Sequence, residues 1–248
     1  LKAFSGQSQG EMAGQSGGGE AGGGGAMSDE ELIKDYSTLK VCGSEEVARD
    51  SLAVLKSALE TGKLSFADKD LPEELLVRML KAIGKFGTLK GLLPTRTSVL
   101  PVNEVNLNGN TILTPLAGMA EPLRSAKSTL ARRAQTVQLI VQFIRVSTDA
   151  KIVRLEDCGL EGTTHDKDDP IEQEILRLVK KFGATKTAKY AREVWLAKNK
   201  FRGDFAKKMI EAAYWERARH PDKDNIPRLF LDLRQNRIQG AERILSEL

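Results

Sequence analysis

Residues Thr185–Tyr214 read TKTAKYAREVWLAKNKFRGDFAKKMIEAAY, in which cations and apolar side chains have different helical spacings. Lys186, Lys189 and Arg192 are three residues apart, which places them on one face of a helix. The apolar residues with the complementary spacing are Ala188, Ala191, Val194 and Trp195, and then Phe205, Met209, Ala212 and Ala213. The pattern predicts two amphipathic helices that are separated by a break at Gly203. A basic face of this kind is typical either of a solvated helix or of a surface that meets phosphates.

Composition excludes several classes of protein. The 248 residues carry 38 basic and 34 acidic side chains, so the distribution of charge matters more than the net value of +4. A mean hydropathy of −0.33 and the lack of any apolar run near the roughly 20 residues of a membrane-spanning helix predict no association with a membrane. Two distant cysteines, Cys42 and Cys158, make a disulfide framework improbable and favour a reducing compartment.

Four segments are predicted. Residues 1–27 are dominated by Gly and small polar residues, which predicts a flexible arm, and a start at Leu1 suggests proteolytic release or an engineered start. Residues 28–43 open with a capping box at Ser28 and Glu31 and form a docking segment. A core follows at 44–226 and a C-terminal extension at 227–248. The apolar residues of the docking segment, which suit a neighbouring subunit or the chain's own body, are Leu32, Ile33, Tyr36 and Leu39.

Helical signals dominate the core. Ser44 and Gly62 bound one predicted helix, and the acidic turn after Pro72 begins another. Longer apolar stripes predict helices over 121–146 and 170–182, and the single strand signal is the Asn108-Gly109 pair, which favours a type I′ hairpin turn within 104–113. The fold class expected is therefore mainly α, with about seven to nine helices, one small β-hairpin, a flexible N-terminal arm and a C-terminal extension.

Catalytic and metal-binding constellations are lacking. His165 and His220 lie in polar surroundings, and no His or Cys pair has the spacing of a zinc site. No phosphate-binding loop or partnered nucleophile is recognisable. We therefore predict that the protein is not an enzyme and has no cofactor, metal or small-molecule substrate. The tripeptide His220-Pro221-Asp222 is the hallmark of J-domain co-chaperones, which leaves a co-chaperone as one alternative.

Several stretches resemble the coat proteins of flexible filamentous plant viruses, above all the potyvirus family, as a divergent member. They occur in that family's order over roughly half of the chain. Thr97-Ser98 and Leu113–Leu116 are similar to the family's TSPNING…YPLKP run. The others are Ala126–Leu130 (AKPTLRQ in the family), Ala188–Glu193 (ARYAFDF), Lys208–Ala213 (HIQMKAAA) and Pro227–Asp232 (RLFGLDG).

The resemblance implies a capsid protein that polymerises into a helical filament and encapsidates single-stranded RNA. Its expected partners are RNA and further copies of itself, and its expected locations are the virion and the host cytoplasm. The family's arginine after Thr-Leu falls on Ala131 here, so Arg132 or Arg133 would have to replace it, and Glu193 stands for the family's Asp. The full set of expected RNA-binding residues is Ser98, Lys127, Arg132, Arg133, Lys186, Lys189, Arg192 and Glu193. A cellular helical scaffold or adaptor that binds proteins is the other alternative.

Overall fold

The computed structural model describes residues 28–35, 40–86, 99–110, 112, 126–161, 169–183, 192–218 and 229–238, with the side chains of 126–130 and 214–218 left out. The helices are α1 (Asp29–Lys34), α2 (Glu45–Thr61), α3 (Glu73–Phe86), α4 (Ala126–Gln142, continued by a π-helical turn at Phe143–Ser147), α5 (Pro170–Gly183) and α6 (Gly203–Ala218). The strands are β1 (Lys63–Ser65), β2 (Glu104–Asn106), β3 (Ile152–Arg154), β4 (Arg192–Trp195) and β5 (Leu229–Asp232).

The five strands form one parallel sheet in chain order, β1-β2-β3-β4-β5. One residue of each strand aligns with those of its neighbours in a row, formed by Leu64, Val105, Val153, Val194 and Leu231, of which the first four are buried and Leu231 is half-buried. The expectation of a mainly α protein with one hairpin is therefore wrong, and the fold is α/β. The Asn108-Gly109 pair follows a parallel strand instead of joining two antiparallel ones, and residues 192–195 are a strand rather than a helix.

Each strand belongs to a repeated unit. In the second unit Val102, Val105, Leu107, Asn110 and Ile112 are all buried, and they follow the pattern L-x-x-L-x-L-x-x-N/C-x-L of leucine-rich repeats. The repeats here are longer than the roughly 20–29 residues usual for that pattern. The residue before the Asn or Cys position has a positive φ in every unit, namely Asp68, Gly109, Asp157, Lys198 and Gln235. Five units of the same geometry, stacked side by side, make a solenoid.

Asparagine amides join the second, fourth and fifth repeats to the repeat before each of them. The Nδ2 of Asn110 donates to the carbonyl of Phe66 at 2.7 Å, and the Nδ2 of Asn199 donates to that of Leu155 at 2.7 Å. Asn236 donates in the same way to Leu196. We call this series, with Cys158 at the third unit, the asparagine ladder. The first unit has the exposed Lys69 at this position, and within the described residues no strand precedes β1.

Cys158 takes the ladder position of the third repeat as a thiol. Its Sγ donates to the carbonyl of Leu107 at 3.2 Å, and the side chain is fully buried. Burial raises the pKa of the Cys158 thiol well above its ordinary value, so the group stays protonated and can donate. This cysteine is a structural element of the ladder and not a nucleophile.

The helices lie along one side of the sheet. Several of their ends were predicted correctly from the sequence. The Ser44 hydroxyl accepts from the backbone of Val47 and Gly62 ends α2 in the left-handed region, as predicted. The predicted capping box between Ser28 and Glu31 is present too. The buried stripes of α2, α3, α4 and α5 pack with the strand interior into one continuous core. Apolar burial between two layers is the main stabilising term of such an architecture.

The docking segment packs on its own chain. Leu32 and Ile33 are each only 2 % exposed and belong to the core, so of the two expected roles they pack on the chain's own body and not on a neighbouring subunit. Asp29 and Glu30 of the same helix form ion pairs with Lys56 and Arg49 of α2. Tyr36 and Leu39, residues 1–27 and residues 239–248 lie outside the described part of the chain.

Two glycines give a matched stability prediction. Gly109 has a φ of +69°, and a Cβ there would lie 2.5 Å from the Oδ1 of Asp68, so Gly109→Ala should destabilise the protein by about 1–2 kcal/mol. Gly84 is inside α3, and a Cβ there would meet the Phe143 ring at an ordinary 3.8 Å. Gly84→Ala should therefore stabilise by about 0.5–1 kcal/mol, because Ala has less backbone freedom to lose on folding. Urea unfolding of the two variants measures both signs, and equal effects would contradict the left-handed turn at Gly109.

Candidate interaction surface

The strand residues that alternate with the buried row form a second surface, which we call the sheet face. Its first row is Lys63, Glu104, Ile152, Glu193 and Phe230, and its second row is Ser65, Asn106, Arg154, Trp195 and Asp232. A third row follows at Ala67, Asn108, Glu156, Ala197 and Arg234. The hydrogen bonds, ion pairs and ring contacts described for these side chains join them to one another, not to a described helix. The sheet face is thus a self-contained surface, held in register by the solenoid.

The middle of the sheet face is an ion-pair network centred on Arg154. Its Nε donates to the Oε1 of Glu104 at 3.0 Å, and its Nη1 lies 3.7 Å from Glu156. Lys63 approaches Glu104 from the other side at 3.1 Å. The Nδ2 of Asn108 donates to Glu156 at 2.6 Å, so both acids have two partners each. Several charges that share partners fix one another's rotamers better than isolated surface pairs do.

The network ends in an aromatic pair. The guanidinium carbon of Arg154 lies 4.3 Å from the centre of the Trp195 ring, within the range of a cation–π contact. The rings of Trp195 and Phe230 are 5.0 Å apart and inclined at 47°, a favourable tilted geometry. The indole Nε1 donates to Glu193 at 2.8 Å, which fixes the orientation of the ring. Phe230 is nevertheless 48 % exposed, so a large apolar side chain reaches solvent at this end of the sheet face.

Asp232 anchors the last strand beside this pair. Arg234 donates to its carboxylate through both Nε and Nη2, at 2.9 and 2.7 Å. These hydrogen bonds hold the pKa of Asp232 below its ordinary value, so the group is ionised at neutral pH. A cavity of about 770 Å³ extends from the two rings along β5, between Leu231 and Leu233 of the strand and Ile210 of α6. The aromatic pair is therefore continuous with a mostly apolar depression.

The predicted RNA-binding residues whose side chains the structure describes lie on two separate elements, α4 and β4. Arg132 is on α4, where it pairs with Glu74 at 2.5 Å, while its neighbour Arg133 is only 4 % exposed and pairs with Glu161. Arg192 and Glu193 are consecutive on β4, but their side chains have different neighbours. Arg192 lies over the Phe182 ring, and Glu193 accepts from Trp195 on the sheet face. The side chain of Lys127 is not described, and Ser98, Lys186 and Lys189 lie outside the described residues. Burial removes Arg133 from any phosphate-binding role in this structure.

The residues that build the sheet face, apart from Glu193, were missed because each is unremarkable alone. Arg154 and Trp195 come from different repeats, and the parallel register of β3 and β4 places them side by side. The recurring L-x-L-x-x-N/C pattern is the signal that would have located them, since it fixes which strand residues point away from the core.

Neither a family model, a curated protein nor a solved structure matches this chain. Across the described residues, no His, Cys, Asp and Glu side chains are grouped so as to hold a metal ion. None of the described helices combines the length and the apolar character that crossing a membrane requires.

Proposed function

We propose that this protein is a binding module that recognises a polypeptide partner through the sheet face. The observation that carries the proposal is the series of contacts from Glu104 through Arg154 and Trp195 to Phe230 across four neighbouring strands. Stacked repeats use such continuous surfaces to bind extended areas of other proteins.

The chemistry of the surface favours a protein over a nucleic acid. Four acids, Glu104, Glu156, Glu193 and Asp232, are interspersed with three cations on the sheet face, and a polyanion would meet repulsion there. Trp and Arg are enriched among the residues that dominate binding energy in protein interfaces. Arg154 and Trp195 are already held by their neighbours, so little side-chain entropy remains to be lost on binding.

The capsid function stays a prediction, because the comparisons do not bear on it. The same holds for the expected RNA and self-assembly partners, for the virion location and for the non-enzymatic character. Its structural premise has changed, because the helical core expected from the resemblance is replaced by an α/β solenoid. The adaptor alternative retains a role in binding proteins, with a sheet in place of the expected helical scaffold. Negative-stain imaging and the ultraviolet absorbance ratio of purified protein would reveal filaments and bound RNA.

Site-specific photocrosslinking tests the binding function. A benzoylphenylalanine at Phe230 or Ser65, both on the sheet face, should form a crosslink to one predominant protein in an extract of the source cells. The same probe at Gln138, exposed on α4, is the matched control and should not yield that product. Excess unlabelled protein should abolish the crosslink, because the surface is saturable, whereas excess Phe230→Asp protein should compete at least tenfold less well.

Substitution of Phe230 is suitable for this competition because its side chain is half exposed and contributes little to the core. Equal competition by the Phe230→Asp and unmodified proteins would contradict the sheet face as the binding surface. A crosslink from Gln138 to the same protein in similar yield would also contradict the sheet face as the binding surface. Circular dichroism of the variant verifies that the solenoid is intact.

A further inference from the structure

The outer edge of β5 has no neighbouring strand among the described residues. In each of the first four repeats, two backbone N–H groups donate to carbonyls of the following repeat. The donors are Phe66 and Asp68, Leu107 and Gly109, Leu155 and Asp157, and Leu196 and Lys198. The residues at the same positions of the fifth repeat are Leu233 and Gln235, and neither N–H has an acceptor among the described residues. The register of the sheet therefore ends in two unpaired donors that are two residues apart.

The apolar side chains behind this edge are less buried than their equivalents in the preceding repeat. Leu233 and Ile238 are half-buried, whereas the equivalent Leu196 and Phe201 are fully buried. The cavity of about 770 Å³ lies against the two half-buried side chains. We call the following groups the open end: the N–H groups of Leu233 and Gln235, and the cavity-lining side chains of Ile210, Leu231, Leu233 and Ile238.

The opposite end of the solenoid is different. Leu64 and Phe66 of the first repeat are fully buried, and α1 packs on α2, which in turn packs on β1. Solenoids need terminal units with a polar outer face in order to stay soluble. An edge that combines unpaired N–H groups with apolar side chains is instead a template for a further strand. Since the apolar side chains of the first repeat are already covered, the open end favours a separate polypeptide over the β1 end of a second copy.

We propose that the open end binds an extended segment of the polypeptide partner, which adds to the sheet as a sixth parallel strand. This inference rests on the proposed function and specifies how the partner binds. The two N–H groups match carbonyls two residues apart along a strand, and the cavity accepts the apolar side chains that alternate with the strand's outward residues. Trp195, Phe230 and Asp232 of the sheet face line the same cavity. One bound segment therefore reaches both surfaces.

Amide hydrogen exchange, measured by NMR on the full chain, tests the open end. Without a ligand, the amides of Leu233 and Gln235 should exchange at least tenfold faster than those of Leu196 and Lys198, which donate to the next repeat. The probe is a synthetic peptide of residues 192–201, because this segment pairs with the third repeat in the way that we propose for the partner. At millimolar concentration it should slow the exchange of both amides at least tenfold, along a saturating curve.

Two comparisons test the apolar part of the open end. The peptide with Val194→Asp and Leu196→Asp keeps its backbone carbonyls but loses the side chains that would enter the cavity, so it should bind at least tenfold more weakly. Ile210→Glu in the protein should weaken binding of the original peptide to a similar extent. Ala53→Glu, exposed on α2, is the matched control and should leave the affinity unchanged. The peptide comparison stays valid if Ile210→Glu lowers stability, because it uses the unmodified protein.

Three results would overturn the proposal. The first is a lack of saturable protection by the peptide. The second is slow exchange of Leu233 and Gln235 in the protein alone at every concentration, which would show that a segment of the chain itself occupies the edge. The third is protection that grows with protein concentration, together with oligomers in analytical ultracentrifugation, which would assign the edge to a second copy.

The crosslinked partner separates this inference from the proposed function. If a protein crosslinks from Phe230 but leaves the amides of Leu233 and Gln235 unprotected, binding at the sheet face stands and the sixth strand is wrong. If the peptide protects both amides but no protein crosslinks from the sheet face, the open end stands as a strand-binding edge and the proposed function is contradicted.

Discussion

Asn199→Ala is expected to lower the free energy of unfolding by roughly 3–5 kcal/mol, because each buried peptide group that loses its partner costs about 1–3 kcal/mol. The Asn199 amide is 3 % exposed and donates to the carbonyls of Leu155 and Leu196, at 2.7 and 2.9 Å. Its Oδ1 accepts from the backbone of Cys158 and Leu160, at 3.2 and 3.1 Å. An alanine at this position can replace none of these bonds. Urea unfolding monitored by circular dichroism measures the loss.

The asparagine ladder has its own internal control. Asn236 makes the equivalent bonds to Leu196 and Phe201 in the last repeat, but it is half-buried, so water can replace part of what its amide provides. Asn236→Ala should therefore cost clearly less than Asn199→Ala. Cys158→Ala removes only a weak hydrogen-bond donor, so its loss in the free energy of unfolding should also be smaller than that of Asn199→Ala. Equal losses at Asn199 and Asn236 would contradict the argument that burial sets the cost, and a negligible loss at Asn199 would show that the ladder does not hold successive repeats together.

Local signals in the sequence were sufficient to predict most of the helices. Ser44 and Gly62 bound α2 because a hydroxyl can cap the first turn and glycine can adopt the left-handed end, and neither requirement depends on distant residues. The acidic turn after Pro72 similarly predicted α3, whose buried face includes Leu76, Met79 and Ile83. Helices that carry their own caps and stripes can be read from one sequence.

The strands could not be found in the same way. Each has only three or four residues, and Val194 and Trp195 also fit the helical spacing that begins at Ala188. The strand pattern, in which Val194 and Leu196 alternate and Asn199 and Phe201 follow, competes with that helical spacing. The strand forms because Asn199 makes hydrogen bonds to backbone groups of the neighbouring repeat. Only a search for recurrence along the chain distinguishes the two interpretations.

The sheet face was beyond prediction for a related reason. Its chemistry arises from the register between repeats, which pairs Arg154 with Trp195 and places Glu104 one row away, although long segments separate them in the chain. Arg132 and Arg133 were chosen as candidates because they stand next to Ala131, on which the arginine of the resembled family falls. In the fold, those two arginines point to different partners, and Arg133 is buried.

The buried ion pair of Arg133 gives the second large expected effect. Its Nη2 donates to the Oε1 of Glu161 at 3.4 Å, while the Nε and Nη1 have no hydrogen-bond partner among the described residues. Glu161→Gln would leave the guanidinium buried without a compensating charge, and we expect a loss of roughly 3–5 kcal/mol in the free energy of unfolding. Chemical denaturation of the single variants measures this loss directly.

Removing the cation instead of the acid should have the milder consequence. Arg133→Met keeps much of the apolar volume, and Glu161 retains Lys200 at 3.7 Å and partial access to water, so the cost should be below about 1.5 kcal/mol or even a gain. The double variant Arg133→Met/Glu161→Gln should then be more stable than Glu161→Gln alone, because the unpaired charge is gone. Glu74→Gln, at the exposed pair with Arg132, is the matched control and should cost at most about 1 kcal/mol. If Glu161→Gln is as mild as Glu74→Gln, Arg133 does not depend on the carboxylate, and its burial would have to be balanced by some other group.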